Sequence, residues 1–62
     1  MWYHVINRNQ GALSVQGSYK TSDGAERRAS NILGGETFVF ASYTRDPEAT
    51  LQEFRDAEVE VL

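Results

Sequence analysis

Few of the 62 residues carry side chains able to do chemistry on a substrate. His4 is the single imidazole, and its neighbours in Trp2-Tyr3-His4-Val5-Ile6 suit a structural or surface histidine better than a general base. Ser14, Ser18, Ser22, Ser30 and Ser42 offer hydroxyls, but none stands in a Gly-x-Ser-x-Gly elbow, and one histidine would have to serve any triad. Glu53 with Asp56, and Asp56 with Glu60, recur at helical spacings. Paired carboxylates do acid–base work across a cleft between elements, which a chain this short hardly builds, so these read as a solvated face. There is no cysteine, which excludes disulfides and thiolate metal sites, and one histidine cannot make a multi-histidine centre. Gly11 and Gly34-Gly35 match no phosphate-loop spacing, and the double glycine follows a helical pattern where a phosphate loop would open one. These residues predict no enzyme, no cofactor and no metal site.

Binding chemistry is better represented. Arg27 and Arg28, with Lys20, Arg8 and Arg45, offer a modest basic patch, and Trp2, Tyr3, Tyr19, Phe38, Phe40 and Tyr43 fall on strand-like runs. Cations beside strand aromatics are one way to hold single-stranded nucleic acid, with Arg27, Arg28 and Lys20 as the contacts. The net charge of −3 works against phosphate at long range, and seven aromatics are also what a core of this size uses. The charge is segregated. Residues 46–62 hold Asp46, Glu48, Glu53, Asp56, Glu58 and Glu60 against Arg55 alone, whereas residues 1–45 have more cations than anions. A basic partner could read such a segment through Glu48, Glu53, Asp56 and Glu60; the plainer alternative is a solvated helix face.

The elements that must position these groups follow from pattern. Residues 1–7 alternate as a strand, with Trp2, His4 and Ile6 on one face and Tyr3, Val5 and Asn7 on the other. Arg8-Asn9-Gln10-Gly11 is a hairpin turn in which asparagine and glycine can take positive φ. Leu13, Val15, Gly17 and Tyr19 then mark one face of a half-buried strand, with Gly17 hinting at a bulge or a close backbone approach. Residues 22–35 predict an amphipathic helix: Ala25, Ala29, Ile32 and Leu33 form its stripe, Ser22 or Asp23 caps it with Glu26 completing a capping box, and Gly34-Gly35 stops it. Residues 36–44 are the most strand-prone run and apolar on both faces, which predicts a central or partner-covered strand. Asp46-Pro47-Glu48 opens a second helix whose buried side holds Leu51, Phe54 and Ala57 or Glu58, ending near Glu58 with residues 59–62 as a frayed tail.

The expected fold is one α+β domain over 1–62, a ββαβα chain with a three-stranded, mainly antiparallel sheet and two helices packed on it. The third strand could run parallel to the second through a right-handed crossover. If both helices share one face, Tyr3, Val5 or Phe38 and Phe40 stay partly wet on the other. No apolar run nears the ~20 residues that span a bilayer, and the N-terminus lacks a signal-peptide layout, so a cytoplasmic protein is expected. The layout, with Tyr19-Lys20-Thr21 leading into an alanine-bearing helix, resembles small bacterial and phage-encoded proteins of unassigned role. The leading expectation is a small non-enzymatic regulator or inhibitor, a phage-type accessory protein being one form of it, that binds a larger protein through its acidic helix or an aromatic sheet face. A nucleic-acid-binding domain is the alternative, and a homodimer would supply burial that one short chain lacks.

Overall fold

The computed structural model describes residues 1–61 and has the order β1 (Trp2–Asn9), β2 (Ala12–Tyr19), α1 (Ser22–Ser30), β3 (Glu36–Ser42) and α2 (Pro47–Val61). The three strands form one antiparallel sheet in the order β2-β1-β3. The ββαβα, α+β expectation therefore holds, but β1 takes the centre and β3 is an edge. β3 pairs antiparallel with β1 and not with β2, so the crossover alternative falls away. Four consecutive β1 residues, His4, Val5, Ile6 and Asn7, are buried. Burial on both faces is what a central strand requires.

The hairpin between β1 and β2 is tighter than the four-residue turn expected. Asn9 pairs with Ala12, leaving Gln10 (φ 53) and Gly11 (φ 80) as a two-residue loop. Two positive φ values in succession match the right-handed twist of the strands, so Gln10, rather than Asn9, takes the left-handed conformation. Pairing then steps from Val5 opposite Gly17 to Ile6 opposite Val15, leaving Gln16 as the extra residue of a bulge. Residues directly opposite share a face. Leu13 and Val15 therefore lie with Arg8 and Ile6, while Gly17 and Tyr19 lie with Val5 and Tyr3. The bulge that Gly17 hinted at splits the expected single stripe between the two faces.

The helices cover opposite faces. A Cβ on Gly24 of α1 would stand 3.4 Å from the Tyr19 ring, and the loop after α1 is tied to Asn7, which places α1 over the Tyr3, Val5 and Asn7 side. α2 reaches His4 through Thr50 and reaches Phe38 and Phe40 through Phe54, all on the other side. The sheet is thus the middle of three layers.

The ends of α1 differ from those expected. Thr21, with extended backbone, is the cap, its Oγ1 accepting from the Gly24 N–H at 3.2 Å. The helix closes at Ser30, whose hydroxyl turns back to the Arg27 carbonyl at 2.8 Å, with Asn31 as the C-cap. Gly34 (φ 88) and Gly35 (φ 71) instead shape the turn into β3. A Cβ on Gly35 would lie 2.5 Å from the Arg8 carbonyl oxygen, so the chain passes against β1 at a point only glycine fits. Because the helix has ended, Leu33 drops out of the stripe and is 94% exposed; Ala25 is fully buried, and Ala29 and Ile32 are half-buried.

α2 starts as expected. Asp46 Oδ2 accepts from the Ala49 N–H at 2.9 Å, and Pro47 is the first helical residue. Thr50 and Phe54 are buried, with Leu51, Ala57 and Glu58 half-buried beside them. The helix runs through to Val61, past the stop expected near Glu58; no glycine or proline intervenes to end it. Leu62, the last residue of the expected tail, lies outside the described residues.

Candidate interaction surface

The α2 face of the sheet is held by polar contacts at one end and by phenylalanines at the other. His4 is fully buried. Its Nε2 lies 2.8 Å from the Thr44 carbonyl oxygen and 3.3 Å from Thr50 Oγ1, and its Nδ1 lies 2.8 Å from Ser18 Oγ. A carbonyl can only accept, so Nε2 carries the hydrogen; in the neutral ring Nδ1 is then the acceptor for the Ser18 hydroxyl. Thr50 in turn donates to the Asp46 carbonyl at 2.8 Å. The imidazole thus links β2, the β3–α2 loop and α2, with both nitrogens engaged inside the protein. Nearby, Ser42 Oγ lies 2.9 Å from both Glu53 carboxylate oxygens and accepts from the Thr44 N–H at 3.2 Å.

Toward the other end α2 stands off the sheet. Its backbone packs mainly against β2, and the groove beside it opens toward β1 and β3. Phe54 bridges that space, its ring centroid 5.2 Å from Phe38 in a tilted pair and 5.4 Å from Phe40 in an edge-to-face pair. Beside these rings an open groove of about 460 Å³ remains, with Phe38 and Phe40 from β3 on one side, Phe54 and Ala57 from α2 on the other, and Arg8, Glu36 and Glu58 completing its lining. Arg8 forms an ion pair with Glu58 and lies 5.6 Å from the Phe38 ring centroid, so its charge is met on one side by carboxylate and on the other by a π face.

The residues singled out for a basic partner all stand on α2. Glu48, Glu53 and Asp56 are exposed, but Glu53 is committed to Ser42 and Asp56 accepts from Gln52 Nε2 at 3.0 Å, while Arg55 sits among them on the helix. The Glu60 side chain lies outside the described residues. The proposed cationic set stands at two places in the chain. Arg27 and Arg28 are exposed in the last turn of α1, whereas Lys20 Nζ lies 5.8 Å from the Trp2 ring centroid, shared with Arg45 Cζ at 5.1 Å. What pattern reading missed is the groove: Phe38, Phe40 and Phe54 look like core, and nothing local joins Arg8 to Glu58 fifty positions on. Their opposite charges were the one available signal.

Among the described residues no three His, Asp or Glu side chains are grouped to hold a metal, and no helix is long and apolar enough to cross a membrane. Compared with protein-family models, curated proteins and solved structures, the chain matches none.

Proposed function

We propose that this chain is a small non-enzymatic interaction module, a cytoplasmic regulator or inhibitor that holds a larger protein by an apolar anchor seated in the Phe38–Phe40–Phe54 groove. One observation carries the reading: three phenylalanine rings line an open groove of about 460 Å³ on a molecule whose apolar core, among the described residues, is Val5, Ile6, Ala25 and Phe54. The volume falls within the ~300–1,000 Å³ of typical ligand sites. An open, aromatic-lined concavity with a charged pair at its margin has the composition of a protein-binding hot spot, and an open groove suits a polypeptide side chain better than an enclosed small molecule.

The test is affinity capture from native lysate after nuclease treatment, comparing the wild type with Ala57→Phe, which fills the groove from the helix side without removing a core residue. The wild type should retain a protein partner and the variant, native by circular dichroism, should lose it at least tenfold. Undiminished capture by a folded variant would contradict the reading. The second reading, a nucleic-acid-binding domain, is favoured by Lys20 and Arg45 gathered over Trp2. It requires retention that vanishes with nuclease and falls with salt, and that weakens when Arg27 and Arg28 are replaced by alanine.

A further inference from the structure

The two edges of the sheet are built differently. β2 carries the Gln16 bulge, and the Tyr19 ring folds over Gly17 so closely that a Cβ there would stand 2.9 Å from it. A bulge breaks the flat row of unpaired backbone groups and is one of the ways proteins keep an edge from pairing. β3 has no such device. It pairs with β1 from Glu36 to Ser42 without a shift in register, and residues 37–44, Thr-Phe-Val-Phe-Ala-Ser-Tyr-Thr, contain no charge, proline or glycine. Among the described residues no strand pairs with its outer side. Val39 (37% exposed) on the strand, Tyr43 (85%) just after it and Leu33 (94%) in the loop that leads into it are exposed apolar side chains.

We propose that the chain forms a twofold dimer by antiparallel pairing of β3 with β3 of a second copy, joining two three-stranded sheets into one of six strands. The strand is self-complementary in that arrangement. A twofold axis at Val39 sets Phe38 opposite Phe40 of the second copy and Thr37 opposite its Ala41, with Val39 against itself, so both faces gain cross-strand apolar pairs. Charge favours the same direction. Glu36 opens β3 and Arg45 follows its end, so antiparallel copies run each Glu36 toward the other's Arg45, whereas a parallel match would set like against like.

Area is consistent as well. A standard interface removes roughly 600–1,000 Å² per partner, and one chain exposes 4331 Å² in all. Tyr43 alone, 85% exposed, belongs to a class of side chain that buries about 150–250 Å². An axis normal to the sheet keeps its faces in place, so the phenylalanine grooves of the two copies meet on one side. Each copy then contributes Phe40 to the open side of the other's groove, and the groove becomes one cleft between the two α2 helices.

The pairing does not depend on the groove having a partner, and its test uses the pure protein. Sedimentation equilibrium should give twice the 7.0 kDa of one chain. Val39→Lys and Val39→Glu, each placing like charges at the axis, should both sediment as monomers, and an equimolar mixture of the two should recover the doubled mass. Gln16→Lys, on the bulged edge, should remain dimeric. A wild type that stays at 7.0 kDa across the concentration range overturns the proposal, as does a Val39→Lys variant that remains dimeric. Isotope-filtered NMR on mixed-label wild type needs no variant: contacts between Phe38 of one copy and Phe40 of the other are expected, and intermolecular contacts confined to β2 or the helices would overturn it.

Discussion

α1 and α2 cover opposite faces of the same three strands by different means. α1 does so with small residues: Ala25 is fully buried, Gly24 faces Tyr19, and the helix backbone comes close to β1, β2 and β3 alike. α2 meets its face with Phe54 and with polar contacts to His4 and Ser42, and its backbone packs mainly against β2, leaving the phenylalanine groove at β1 and β3. Side-chain size at the contact sets how near a helix can lie. A close helix leaves little room beneath it. A helix propped on one aromatic leaves a space, and that space is what a partner can enter.

The strongest way to break this comparison is to remove the prop. Phe54→Ala should cost about 3–5 kcal/mol in urea unfolding, because the lost ring is buried and its two aromatic partners lose contact with the helix. A loss under ~1 kcal/mol would mean that α2 is held by its polar contacts instead. Ala25→Leu tests the α1 face: with no exposed surface to expand into, the larger side chain should cost ~1–3 kcal/mol and push α1 outward. The smallest effect is expected at the groove margin. Arg8 and Glu58 are 30% and 40% exposed, so Glu58→Gln should change stability by less than ~1 kcal/mol, measured by the same titration. A larger loss would make the pair part of what holds α2 down.

Much of this frame was legible in the residues, and the misses share a cause. The five elements and their order followed from local pattern, as did the division of β1 residues between two faces and the Asp46-Pro47 start of α2. Of the two places expected for β3, the central one belongs to β1, although β3 looks more apolar than β1, whose buried residues include His4 and Asn7. Those two are internal because each finds partners from distant segments: His4 from Ser18 and Thr44, and Asn7 from Gly34, Glu36 and Thr37. Pattern assigns a polar residue to the surface unless such partners are known. The α1 cap went to Thr21 over Ser22 and Asp23, a one-residue choice that propensity does not make. The groove was illegible for a different reason. It depends on how far α2 stands from the sheet and on an Arg8–Glu58 contact that spans nearly the whole chain.

The central claim is that the molecule meets its partner on the side where the helix stands off. Amide hydrogen exchange of the chain, free and bound to the protein retained after nuclease treatment, tests it most directly. The account predicts new protection at residues 36–40 and 54–58, with the α1 face unchanged. Protection confined to Arg27 and Arg28, or to the outward side of α2 around Glu48 and Asp56, with residues 36–40 exchanging as before, would contradict it.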